Sequence, residues 1–249
     1  MDFTAFFADV RTLAYPSLFN IYFAFASIPV GFLFAIGLAL LKNSQNPVVS
    51  RLASGYIYAF RGSPLFIQLF MVYSFMLSLN LSVWKPNGID WLVLHPLFLG
   101  PLVLVLNTTA YSAEIFYGGL KTVPKGQIEA AHAYGLSRYQ TFSSIVWPNM
   151  IRIAWPAYTN EVVFLFQATA LVYFTLPVID EQKDLMNKAG ELFERDYNAF
   201  LHYSVAAGYF LAISLLVFFF SGIIYRRMMR HMVPTVTKPR IRYAPKLVR

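Results

Sequence analysis

The 249-residue chain is 57% hydrophobic and only 13% charged, well below the roughly 25% of an ordinary soluble domain, which excludes a soluble globular protein. Its formal net charge of +8 invites a nucleic-acid reading, yet eight cations, Arg226 to Arg249, follow the last apolar run with no acid among them. That is the pattern of a cytoplasmic membrane flank, a basic tail (226–249) that reads as a solvated flank set by topology, with binding of anionic lipid as the alternative. With no cysteine, disulfides and thiolate metal sites are excluded.

Charge-free stretches run between Arg11 and Lys42, Arg61 and Lys85, Asp90 and Glu114, Glu161 and Asp180, and Asp196 and Arg226. Each is close to or beyond the roughly 20 residues that cross a bilayer as a helix. An all-α integral membrane protein with five spans is expected, a single domain over 1–249. The basic tail puts the C-terminus inside and, with five crossings, the N-terminus outside.

The first span is expected at about 18–41, with Pro29 and two glycines inside it. Acidic residues precede it and no small-residue cleavage site follows, so it reads as a retained span. The second is expected at 64–83, with Ser63 capping and Pro64 in the first turn. A longer helix from Tyr56, kinked at Pro64, is equally allowed. The third runs over 97–120, the fourth over 148–176 and the fifth over 200–225. Lys42 and Arg51 fall in an inside loop, and Arg61 reads as an interfacial positive-inside arginine. Between the last two spans an outside amphipathic helix presents Leu185, Ala189, Leu192 and Phe193 on one face. Abundant Phe and Tyr suit lipid-facing packing.

A soluble-looking hairpin, about 122–147, separates the third and fourth spans. Pro124 suits the first turn of a helix, Gly135 suits a left-handed end, and Ser137 with Gln140 has capping-box spacing. Ala130, Ala131 and Ala133 leave it little side-chain bulk. A narrow helix of that kind fits a groove on another protein, with Glu129 able to orient it.

The pattern Glu129-Ala130-Ala131, then Gly135, Ile145 and Pro148, with Trp147 where leucine is usual, resembles the signature of the membrane subunits of ATP-binding-cassette importers. The stretches RGSPLFIQLF, AYSAEIF, VPKGQIEAAHAYGLS and PAYTNEVV look like the polar amino-acid uptake branch. AYGLS with NEVVFLFQATAL looks most like the M-type subunit of histidine, lysine-arginine-ornithine and opine permeases. Gln167 and Ala168 stand where many members have a Lys-Asp pair, and Tyr117 where many have Arg.

The resemblance implies a bacterial inner-membrane importer of polar, basic amino acids or opines. In it the hairpin (Pro124, Glu129, Ala130, Ala131, Gly135, Ile145, Pro148) docks on an ATPase. Implied partners are a Q-type permease subunit, two ATPase subunits and an external solute-binding protein, docking where the acidic segment Asp180 to Asp196 is exposed. Pathway residues would be Asn107, Thr108, Tyr111 and Glu114 in the third span and Asn160, Glu161, Gln167 and Thr169 in the fourth. Glu161 and Glu114 also have structural readings: Glu161 favouring a helix N-terminal dipole after Pro156, Glu114 pairing with Arg152 or Lys121.

No G-x-x-x-x-G-K-[ST] occurs, so ATP and Mg would belong to the partner ATPase and this chain would bind no cofactor. His95, His132, His202 and His231 fall on different sides of the expected membrane and show no HExxH-like spacing, so no metal site is expected. The alternative is an ion-gradient-driven secondary transporter, which predicts inverted repeats; none is visible. An intramembrane hydrolase would need a nucleophile motif such as G-x-S-x-G, which is absent.

Overall fold

The computed structural model describes residues 3–179 and 182–230. The far basic tail, His231, Asp180 and Glu181 lie outside the described residues. Among the described residues the chain is entirely helical. In order, the helices are α1 (Phe3–Lys42), α2 (Pro47–Arg61), α3 (Leu65–Ser78), α4 (Asp90–Val93), α5 (Pro96–Lys121), α6 (Lys125–Ala133), α7 (Arg138–Thr141), α8 (Trp147–Ala168), α9 (Val172–Thr175), α10 (Leu185–Asp196) and α11 (Ala199–Met229). Three, Thr4–Lys42, Pro96–Lys121 and Ala199–Met229, are long and apolar enough to cross a membrane. A fourth is added if the α2–α3 pair, bent by 104°, counts as one span. α8 has 22 residues but carries Asn149, Arg152, Asn160 and Glu161.

α5 is the axis of the bundle, packed between α1 and α8, with α2 and α11 outside them. Its contact with α1 is close because Gly31 faces Thr108: a Cβ there would stand 2.4 Å from the threonine methyl carbon. Phe116, Met150 and Tyr158 centre one core cluster, and Phe23, Leu99, Leu104 and Val172 another. A third joins Leu13 of α1 to Leu185, Ala189 and Leu192 of α10 and Val205 of α11. The expected amphipathic helix thus buries its apolar face on the bundle.

Several boundaries differ from expectation. α1 begins at Phe3, well before 18, because Asp9, which looked like an exposed flank, is buried against His202. The second span, expected at 64–83, is α3 ending at Ser78 and a π turn at Asn80–Trp84. α2 is a separate helix before it, so the chain breaks ahead of Pro64 instead of continuing from Tyr56 as one kinked helix. α2 begins at Pro47, and the side chain of its N-cap, Asn46, accepts from Val48 N–H. Ser63 does not cap α3; its hydroxyl donates to Ala59 O at 2.8 Å, closing α2. Pro64 sits extended at the α3 N-cap. The expected 148–176 run is three pieces: α8, a 3₁₀ turn at Thr169–Leu171, and α9.

Candidate functional site

The hairpin forms from the expected signals. Gly135 takes φ +78°, a left-handed conformation that costs other residues strain. Its N–H donates to His132 O and that of Leu136 to Ala131 O, closing α6. Ser137 and Gln140 make both bonds of the capping box. α7 then passes through a π turn, Phe142–Val146, into α8 with no loop between. The Asn149 amide donates to Gln127 Oε1 and to Ile145 O, both at 2.9 Å, tying the first helix of the hairpin to the root of α8. Glu129, Ala130 and Gly135 are exposed, as are Tyr134 and Tyr139. Ala131, only 3% exposed, faces inward. Pro124 is the exposed N-cap of α6, and Ile145 and Pro148 are half-buried where π turn meets α8.

Higher in the bundle the two helices that leave the hairpin, α5 and α8, meet again at a polar contact. Thr108 donates to Glu161 Oε1 at 3.1 Å, with the carboxyl 7% exposed. A carboxyl at such depth is expensive and rare. Next to Thr108, Asn107 donates to Gln68 Oε1 at 2.9 Å. The Gln68 amide nitrogen in turn reaches Phe60 O, Ser63 O and Ser63 Oγ at 2.7–3.0 Å. It thereby satisfies carbonyls freed at the α2–α3 bend.

Toward the hairpin end lies a charged cleft of about 580 Å³ lined by Lys42, Tyr58, Arg61, Tyr111 and Glu114. Glu114 pairs with Lys42, and Arg61 approaches it at 4.0 Å; it does not pair with Arg152 or Lys121. Arg61 also lies over the Tyr111 ring, 5.3 Å from its centroid, within the same cleft.

The predicted pathway residues therefore fall into four groups. Asn107, Thr108 and Glu161 share the buried seam; Tyr111 and Glu114 line the charged cleft. Asn160 and Gln167 are on the exposed face of α8. Thr169 is fully buried elsewhere, donating to Phe166 O and accepting from Asn20 Nδ2 at 3.0 Å. Glu161 lies fourteen residues into α8, too deep for a dipole role at its N-terminus. Gln68 and Lys42 were missed; Gln68 sits just after Pro64, where a bend frees backbone carbonyls.

The acidic segment before and within α10 is less open than expected. Asp184 is fully buried, capping Asn187 N and accepting from Asn20 Nδ2. Burial pushes its carboxyl up from 3.8 to about 6, against the lowering pull of the Asn187, Asn20 and Met186 donors. Glu191 is held below its ordinary value by bonds from Lys183 and Lys188. Asp196 is lowered chiefly by His202, which is 1% exposed and bridges Asp196 and Asp9 at 2.7 and 2.6 Å.

The family described as binding-protein-dependent transport system inner membrane component matches residues 27–236. The chain belongs to that family. The permease is 36% identical over 194 residues to the nopaline transport system permease protein NocM of Agrobacterium fabrum, covering 78% of each chain. It is 34% identical over 219 residues to the histidine/lysine/arginine/ornithine transport system permease protein HisM of Escherichia coli K12, covering 85% of this chain and 86% of that one. Among solved structures, an amino acid ABC transporter crystallised with histidines superposes with TM-score 0.73 at 24% identity, over 91% of this permease and 99% of that chain. The methionine transporter MetNI, facing inward, gives 0.70 at 19% identity over 87% and 95%. Both share its fold, the type I ABC permease fold. The permease is thus an inner-membrane transport subunit, like its relatives.

Proposed function

We propose that this permease is the M-type subunit of an ATP-driven, binding-protein-dependent importer of basic amino acids or opines. It pairs with a homologous Q-type subunit, two ATPase subunits that hydrolyse Mg-ATP, and an external binding protein. Its N-terminus lies outside and its C-terminus inside.

One observation carries the reading. The hairpin runs into α8 without a break, is clamped to its root through Asn149 and Gln127, and is tied to α5 by a short turn of three residues, 122–124. α5 and α8 are the two helices whose Thr108 and Glu161 touch at membrane depth. A push on Glu129, Ala130 and Gly135 by a closing ATPase pair is therefore delivered to that contact through the unbroken run into α8 and the short turn into α5. In this state the seam is shut; separating α5 from α8 frees Glu161 to meet an ammonium or guanidinium group, a pairing strengthened where water is excluded. Asn107 and Gln68 border the same opening, Tyr111 and Glu114 stand toward the cytoplasmic exit, and Asn160 and Gln167 face the Q-type subunit and the pathway between the two. Its relatives, named for the transport of nopaline and of histidine, lysine, arginine and ornithine, support the substrate class.

Both halves are tested on the reconstituted transporter. A cysteine at exposed Ala130 is expected to crosslink to the ATPase subunit, and one at buried Ala131 is not; no ATPase adduct at Ala130 refutes the docking role. Glu161→Gln is expected to cut lysine and arginine uptake at least ten-fold while sparing neutral amino acids. Equal loss for both classes returns Glu161 to a structural role.

A further inference from the structure

An apolar groove of about 730 Å³ runs along the bundle between α1, α8 and α11, lined among others by Phe25, Phe32, Trp155, Val162, Val217 and Phe220. Its few polar groups are already committed. The Thr159 and Ser221 hydroxyls bond each other, and the Trp155 indole donates to Ser221 O at 3.2 Å. The groove offers an occupant nothing but hydrocarbon contact. On α11 it extends from Ile213 to Ile224, about 16 Å of helix, close to half of the roughly 30 Å hydrocarbon core. That is the depth of one leaflet.

One end of the groove is basic. The antiparallel register of α8 and α11 is fixed by Trp155 on Ser221 and by the Phe166 and Phe210 rings, 5.4 Å apart. It sets Arg152 level with Ile224, and Arg227 about one turn beyond. Arg152 continues the groove-lining stripe of Trp155, Thr159 and Val162, and Arg227 that of Ile213, Val217, Phe220 and Ile224, each by helical spacing. Neither arginine has an ion pair or hydrogen bond among the described residues. Both belong to the end of the molecule that carries the hairpin, since Met228 packs with Trp147 on the same core cluster.

We infer that this groove is a binding site for an anionic phospholipid, with an acyl chain along α8 and α11 and the phosphate between Arg152 and Arg227. A second protein helix would find the apolar wall but leave two guanidinium groups at its end unmatched, whereas an anionic lipid fills one and neutralises the other.

The test uses the complete transporter in nanodiscs holding equal amounts of phosphatidylglycerol and phosphatidylcholine, released for native mass spectrometry. Phosphatidylglycerol is expected to be retained preferentially. Arg152→Gln or Arg227→Gln should each lower that retention about five-fold, and the pair about 25-fold, at roughly 1 kcal/mol per basic contact. Val217→Trp, which fills the groove, should abolish it, whereas Arg226→Gln, off the stripe, should leave it unchanged. Equal retention of the two lipids, or retention unaffected by the double substitution, overturns the proposal. So does a photoreactive group at Val217 that captures another subunit of the transporter instead of lipid.

Discussion

At Gly31 the space for a methyl group is already taken by Thr108. Gly31→Ala must rotate or displace that threonine, and its hydroxyl then leaves Glu161. Overpacking of this kind costs about 1–3 kcal/mol, and the loss of a buried partner falls on a carboxyl with little else to hold it. Gly31→Ala is therefore expected to lower the melting temperature and to reproduce the transport defect of Thr108→Val, measured side by side. Gly37→Ala on the same helix meets nothing within 4 Å and should do neither. Asp184 gives a pH-dependent counterpart. Its native pKa, raised to about 6 from 3.8, means the folded state binds the proton more tightly than the unfolded one. Stability therefore falls as pH rises from about 4 to about 6, and stays reduced above, by about 3 kcal/mol for a shift near two units. Asp184→Asn keeps an oxygen for the Asn187 N–H but cannot ionise. The stability of the wild type relative to Asp184→Asn should drop across that window when melts are recorded from pH 4 to 7; a flat difference would mean the carboxyl stays charged throughout.

At the level of elements, Gly135 separates backbone effects from contact effects. A Cβ there meets nothing within 4 Å, but its φ is +78°, so a side chain is opposed only by the backbone, at about 1–2 kcal/mol for an ordinary residue. Loss of ATP-coupled uptake should follow the order Val, Ala, Asn from worst to mildest, since Asn tolerates this conformation. Membrane insertion should be unchanged, as seen by the amount of full-length chain in membranes. Similar uptake for all three would show that the turn is not under load. The hairpin was legible in the sequence because its signals are local: a glycine, a capping box and a proline within about fifteen residues. α2 was not, because its charged Arg51 broke the apolar run and the span was sought after Pro64, although Asn46-Pro47 is a helix-start signature. The start of α1 was lost for a related reason: Asp9 counts as a flank until its partner His202, 193 residues away, is known. The pathway residues were proposed as one lining, yet pairings such as Thr108 with Glu161 or Asn20 with Asp184 arise only from packing between distant helices. Nothing local in the sequence distinguishes Thr169, which buttresses Asn20, from Thr108, which faces the carboxyl.

The molecule as a whole is polar along its long axis. One end gathers Asp9, Asp184, Glu191 and Asp196 around α10; the other holds Lys42, Arg61, the hairpin and the close of α11 with Arg226 and Arg227. α1, with 40 residues, is about 60 Å long, twice the roughly 30 Å apolar thickness of a bilayer. It is too long to lie wholly within the membrane along the normal, and at the acidic end its first turns pack against α10 and α11. Excess Lys and Arg mark the cytoplasmic side, which supports the proposed topology, with the hairpin in the cytoplasm and α10 outside. The absence of native cysteine makes this directly measurable with single cysteines and a membrane-impermeant maleimide. Glu194→Cys, exposed on α10, is expected to react in cells whose outer membrane is permeabilised, and Ala130→Cys only in inverted inner-membrane vesicles. Labelling of both from the same face would break the proposed topology, and with it the proposed route from a cytoplasmic ATPase to the α5–α8 contact.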